Sequence, residues 1–155
     1  FGEAGWIPVV GKWNDGKTKI GVYKDGFYYI DYTGDYAFGA GDKSISYGTT
    51  GSVALTGDWN ANNLTEIGTQ TGNSWKLDYD GLGAINASTR SSTFGAPGWG
   101  PVLGDWNDDG TDKIGIYLNG AWYLDQNGNG VWDAGTDKNF AFGTNGWIPV
   151  VGKWS

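Results

Sequence analysis

Apolar and aromatic residues fall in short clusters along this chain, separated by runs of Gly, Asp and Asn. The clusters recur. Phe1-Gly2, Tyr47-Gly48, Phe94-Gly95 and Phe142-Gly143 head successive copies at spacings of 46, 47 and 48 residues. Each head leads into a strand rich in Trp, Val or Pro, at residues 6–13, 53–59, 100–106 and 147–154. A polar loop follows, then a short second strand: Ile20-Gly21-Val22-Tyr23, Ile67-Gly68-Thr69-Gln70 and Ile114-Gly115-Ile116-Tyr117. A Gly-bearing hairpin turn leads to a third strand, Phe27-Tyr28-Tyr29-Ile30, Trp75-Lys76-Leu77 or Trp122-Tyr123-Leu124. Each third strand ends on an Asp (Asp31, Asp78, Asp125), and a second Gly/Asp/Asn turn brings in a fourth strand that runs into the next head.

The pattern predicts one all-β repeat domain over 1–155, with four-stranded units at about 5–50, 51–97 and 98–145 and an extra strand at 146–154. Four strands in ~47 residues with aromatic and Gly punctuation is the pattern of a β-propeller blade. Pro8, Pro101 and Pro149 lie in the first strand of their copies, which predicts that this strand is a sheet edge, because Pro cannot donate to a ladder. Gly21, Gly68 and Gly115 predict close backbone approach where units crowd. The alternative is a β-trefoil, also three units of four strands. It has no use for a fourth copy of the first strand.

Composition narrows the chemistry. Glycine, at 29 residues, disfavours helices. A formal net charge of −7 makes nucleic acid and anionic membranes poor partners. There is no Cys and no His, which removes disulfides, thiolate sites and the commonest acid/base and metal ligand. No run is apolar enough for membrane insertion. The chain does not begin with Met, as expected of a processed product or a piece of a longer protein.

The segments Gly57-Asp58-Trp59-Asn60, Gly104-Asp105-Trp106-Asn107-Asp108-Asp109-Gly110 and Lys113-Ile114-Gly115-Ile116-Tyr117 resemble the FG-GAP/VCBS-type repeats of integrin-α-like β-propellers. The resemblance covers nearly the whole chain three times over. It implies an extracellular or cell-surface propeller with calcium in the loops between first and second strands, serving in adhesion, surface layers or sugar binding.

Calcium takes six to eight oxygens, offered by side chains at alternate loop positions, with a Gly at the sharp turn. Asp125, Asn127, Asn129 and Asp133 supply positions 1, 3, 5 and 9 after the third strand of the third copy, with Gly130 at 6. Asp58, Asn60, Asn62 and Glu66 supply the same positions between strands of the second copy, with Asn63 in place of the Gly. Asp105, Asn107 and Asp109 stand at 1, 3 and 5 of the third, where Lys113 replaces the final acid. In the first copy Lys12 and Lys19 replace both terminal acids; a Lys ammonium there takes the ion's place and neutralises Asp15. The competing reading of every such loop is a plain turn, which Asp, Asn and Gly also favour.

Trp13, Trp59, Trp106 and Trp154 recur once per copy, as packing residues do. Trp6, Trp99, Trp132 and Trp147 are the candidates for stacking on a sugar ring. No catalytic constellation is present. The expected function is non-enzymatic binding or adhesion, lectin-like, with extracellular carbohydrate as ligand. The alternative is a self-assembling subunit of a filament, sheath or surface layer, joined through the extra strand.

Overall fold

The computed structural model describes residues 1–154. The first sheet is β1 (Ile7–Gly11), β2 (Lys19–Lys24), β3 (Phe27–Ile30) and β4 (Lys43–Ser46); the second is β5 (Val53–Gly57), β6 (Glu66–Thr71), β7 (Ser74–Asp78) and β8 (Thr89–Thr93). The third is β9 (Gly100–Gly104), β10 (Lys113–Leu118), β11 (Ala121–Leu124) and β12 (Lys138–Ala141). Each sheet is an antiparallel meander in chain order, and none is closed on itself. The protein is all-β, and among the described residues no helix is long and apolar enough to cross a membrane.

The first strand of each unit is an edge, paired on one side only, and Pro8 and Pro101 sit there opposite Val22 and Ile116. The close backbone approach that the sequence suggests at the second-strand glycines is present, with Tyr123 O 3.1 Å from a Cβ placed on Gly115, but it lies within a sheet and not between units. A Cβ on Gly115 would lie 2.8 Å from Leu124 Cδ2 and 2.9 Å from Val102 Cγ2, both on neighbouring strands of its own sheet. The crowding is within a unit: side chains from β9 and β11 close over the middle strand, and the glycine makes room for them.

The recurrent Gly-x-Trp of each first strand is a folded-back unit of packing. The Trp59 indole lies over Gly57, where a Cβ would meet the ring at 2.6 Å, and its Nε1 donates to the Ile67 carbonyl at 3.1 Å. Trp106 does the same over Gly104 and donates to Ile114 at 3.0 Å. Trp13 and Trp59 are buried, as packing residues should be, and Trp106 is half-buried. Trp154, of the same series, is exposed. Residues 146–154, expected as an extra strand, form no ladder among the described residues. A strand needs a partner, and β9 is hydrogen-bonded to β10 alone.

Adjacent units are sewn together by polar bonds between their first strands and loops. Lys12 N donates to Thr65 Oγ1 at 2.9 Å and Thr65 N returns a bond to Lys12 O at 2.9 Å. One unit on, Asp112 N donates to Asp58 O at 2.7 Å and Asp112 Oδ2 accepts from Asp58 N at 2.9 Å. Between the first two units the buried Tyr28 hydroxyl accepts from Leu55 N at 2.9 Å and donates to the Gly68 carbonyl. The Leu55 N–H and the Gly68 carbonyl also face each other as ladder partners of β5 and β6, so Tyr28→Phe removes only the hydroxyl's own bonds, and we expect a loss of about 0.5–1.5 kcal/mol in denaturant unfolding. Tyr29→Phe, one residue along on the opposite face, should cost less than ~0.5 kcal/mol.

Candidate functional site

Five polar loops share one construction. In each, an Asp at the end of a strand accepts the N–H of the residue five positions on: Tyr36 to Asp31 at 3.0 Å, Asn63 to Asp58 at 2.8 Å, Gly83 to Asp78 at 2.7 Å, Gly110 to Asp105 at 2.8 Å and Gly130 to Asp125 at 2.8 Å. The backbone turns left-handed at the third and fifth residues after the Asp in all five, with φ between 59° and 89°. Gly fills most of these places, as its missing Cβ allows. Ala61, Asn63, Asp108 and Tyr36 adopt the same φ with a side chain, so the carboxylate bond holds the turn even against strain.

What stands at the centre differs from loop to loop. In 105–113 the Lys113 ammonium donates to Asn107 Oδ1 at 2.6 Å, Asp109 Oδ1 at 2.7 Å and Thr111 Oγ1 at 2.8 Å, with Asp105 Oδ1 at 3.6 Å. Lys113 is buried, and its bond draws the Asp109 carboxyl well below the usual range. The oxygens expected to hold calcium here hold this chain's own cation. Lys19 does likewise in the first unit, 2.9 Å from Asp15 Oδ2 and 2.7 Å from Asn14 Oδ1. In 58–66 the buried Glu66 carboxylate accepts from Trp59 N at 3.0 Å and from the side-chain amides of Asn60 at 3.1 Å and Asn62 at 2.8 Å; burial raises its pKa. In 125–133 Asp133 Oδ2 likewise meets the amides of Asn127 and Asn129. In both loops each amide must turn over before its oxygen faces a cation.

One acid, Asp42, escaped the sequence reading. Carboxylate oxygens of Asp31, Asp35 and Asp42 lie within 4.8 Å of one another. Asp42 belongs to the turn before β4, where its oxygens accept from Thr33 N at 3.1 Å and Gly39 N at 2.7 Å. The Asp-Lys pair that precedes the fourth strand in two units, Asp42-Lys43 and Asp137-Lys138, was the available signal.

Two of the four aromatic candidates, Trp99 and Trp132, come together. Trp99 and Trp132 line one cleft of about 360 Å³, with Tyr123 between them and Phe94 at the floor. Ring centroids are 5.3 Å apart for Trp99–Tyr123, 5.2 Å for Tyr123–Trp132 and 6.4 Å for Phe94–Trp132. The first unit repeats the arrangement at matching positions: Trp6–Tyr29 at 5.0 Å, Tyr29–Phe38 at 5.5 Å and Phe1–Phe38 at 6.0 Å. Phe38 thus takes the place of Trp132, each being the seventh residue after its Asp. The second unit has Tyr47, Ser52, Lys76 and Ile85 at these positions and builds no such cluster. Trp147 matches Trp6 and Trp99 in the repeat, but it stands exposed beside Phe142, Ile148 and Pro149.

Asp78 shows what the loop construction costs. Its Oδ1 is buried without a hydrogen-bond partner, and burial, with Asp80 and Glu66 close by, pushes its pKa from 3.8 up to about 6. A carboxyl that holds its proton more tightly folded than unfolded adds stability fully below pH ~4 and loses that contribution as pH rises through its folded pKa. Asp78→Asn keeps an acceptor for Gly83 N and removes the charge. Urea unfolding should therefore find the variant more stable than the parent by ~1 kcal/mol above pH ~7, after allowance for solvent screening. The difference should vanish near pH ~4.

Compared with protein-family models, curated proteins and solved structures, the chain finds no match.

Proposed function

We propose that the protein is a non-enzymatic binding module for extracellular carbohydrate, in which the three sheets are successive units of a propeller of the FG-GAP/VCBS type. The observation that carries this reading is the recurrence of one four-ring cluster at equivalent positions of units one and three, which in the third unit lines a cleft. Packing alone asks for rings at the unit boundary. It does not ask for a cleft of about 360 Å³ with Trp132 41% exposed at its lip. A sugar ring fits such a site because its C–H face packs on an aromatic plane while its hydroxyls reach polar groups at the rim. Two such ring clusters on one chain would give weak individual sites the benefit of avidity.

Binding to a glycan array followed by calorimetry tests the reading. Trp99→Ala and Trp132→Ala should each weaken binding about 5–10-fold, the value of one aromatic contact of ~1 kcal/mol or slightly more. Trp6→Ala should halve the stoichiometry. A protein that binds no glycan, with all three variants folded, is not a lectin.

Calcium belongs to the same reading as a support for loops 58–66 and 125–133, once their Asn amides have turned. Loop 105–113 is outside the proposal, since Lys113 fills it. Millimolar calcium should raise the melting temperature over that in chelator, because a ligand bound only by the folded chain stabilises it by mass action. The increment should shrink in Asp133→Asn and in Glu66→Gln and persist in Lys113→Gln. Superimposable melting curves with and without the ion would remove calcium from the proposal and leave the carbohydrate reading intact.

A further inference from the structure

Residues 5–13 and 146–154 are the same nine-residue sequence, Gly-Trp-Ile-Pro-Val-Val-Gly-Lys-Trp, in opposite surroundings. In the first copy the segment supplies β1, paired with β2 in the register Ile7↔Tyr23 to Gly11↔Lys19. Val9 is 8% and Trp13 5% exposed there. Their counterparts Val150 and Trp154 are 68% and 79% exposed, and no ladder reaches them among the described residues.

The chain leaves the third unit as it leaves the others. Phe142 N donates to Gly120 O at 2.8 Å, as Tyr47 N does to Gly26 O at 2.8 Å and Phe94 N to Asn73 O at 3.0 Å. Tyr117 Oη then donates to Thr144 O at 3.2 Å, as Tyr23 Oη does to Thr49 O. Trp147 N closes on Thr144 O at 3.2 Å, matching Trp6 on Glu3 and Trp99 on Ala96. Beyond it the segment lies along the flank of the third unit. Val151 comes to within 3.1 Å of a Cβ placed on Gly104, and Lys153 Nζ reaches Asp108 Oδ1 at 3.2 Å. Gly11 and Gly57, the equivalents of Gly104, are met in the same way by Thr65 and Asp112 of the unit that follows each of them.

We propose that residues 148–152 pair with β2 of a second copy of this chain, in the place of that copy's β1. The register follows from the identity of sequence: Ile148 opposite Tyr23, Val150 opposite Gly21, Val151 opposite Ile20 and Gly152 opposite Lys19. Trp154 then enters the pocket of Trp13. Every contact the displaced strand gives up is restored by an identical one, so the exchange itself is nearly neutral. Among the described residues the flank of the third unit is met only by residues 148–153, and the exchange gives it a complete neighbour. The contact is heterologous, tail of one copy to head of the next, so it closes into a ring or propagates as a fibre according to its rotation.

The absence of cysteine makes the test clean. Chains carrying Val151→Cys are mixed with chains carrying Ile20→Cys under mild oxidation. The double variant Val10→Cys/Ile20→Cys reports, within one chain, whether this register accepts a disulfide. A cross-linked heterodimer is expected, and so is a scattering mass of two or more chains for the parent protein. Val150→Asp should return the mass to that of one chain that still unfolds cooperatively, at a melting temperature no longer dependent on concentration, because Val150 is exposed in the single chain and takes Val9's buried place only in the assembly. A single-chain mass for the parent at all concentrations, or no inter-chain disulfide while the intra-chain control forms, overturns the proposal.

Discussion

One contact organises this protein: a carboxylate at a strand end that gathers the N–H groups of the loop beyond it. Asp125 is the fullest case. Its Oδ1 accepts from Gly128 N at 2.9 Å and Asn129 N at 3.2 Å, and its Oδ2 from Gly130 N at 2.8 Å, with the side chain 1% exposed. Short strands of four to six residues cannot set their own register. Connections that each have one conformation set it for them. Burying a charge to do this is costly, and the raised pKa values of Asp125 and Asp78 record that cost. Three donors offset it at Asp125. At Asp78 only Gly83 N answers, and Oδ1 is left unpaired.

The strands were legible because their signals are local. Alternation, hairpin glycines and the closing Asp lie within a few residues of each other, and all twelve strands fall inside the predicted units. The reason for Gly115 was not legible, since it depends on the rotamers of Leu124 and Val102 across the sheet. The role of Lys19 followed from its position, because it replaces an acid at a counted place. Lys113 stands at the same place, yet its sequence shows only a missing ligand; that the side chain curls back into its own loop is a property of burial. The aromatic clusters were half visible. Trp6, Trp99 and Trp132 stood out as unpaired aromatics, whereas Tyr29 and Tyr123, which join them, read as ordinary third-strand residues.

The middle unit clarifies what the rings do. It keeps the fold with Ser52 and Lys76 where its neighbours have Trp and Tyr. Ser52 Oγ instead bonds Thr71 Oγ1 at 2.8 Å and accepts from Thr49 N at 3.1 Å. The strand therefore enters its sheet equally well on a polar turn. Rings at these positions in units one and three are not needed to make a unit, and this is why they are the better place to look for binding. By contrast Trp13, Trp59 and Trp106, which stand over their own glycines, occur in every complete unit.

The same separation holds in the polar loops. Position one sets the turn, and its Asp is present in every loop of the full length. Position nine is read at the centre of the loop between first and second strands, where Glu66 meets two amides and Lys113 meets oxygens of Asn107 and Asp109. An acid and a base thus serve one backbone geometry, each with its neighbours' amides or carboxylates oriented to suit. A residue that can reverse its charge without altering the turn is not what holds the turn. Holding the turn and setting the charge at its centre are then carried by different atoms of one loop, so one unit carries a tethered ammonium where another carries a carboxylate.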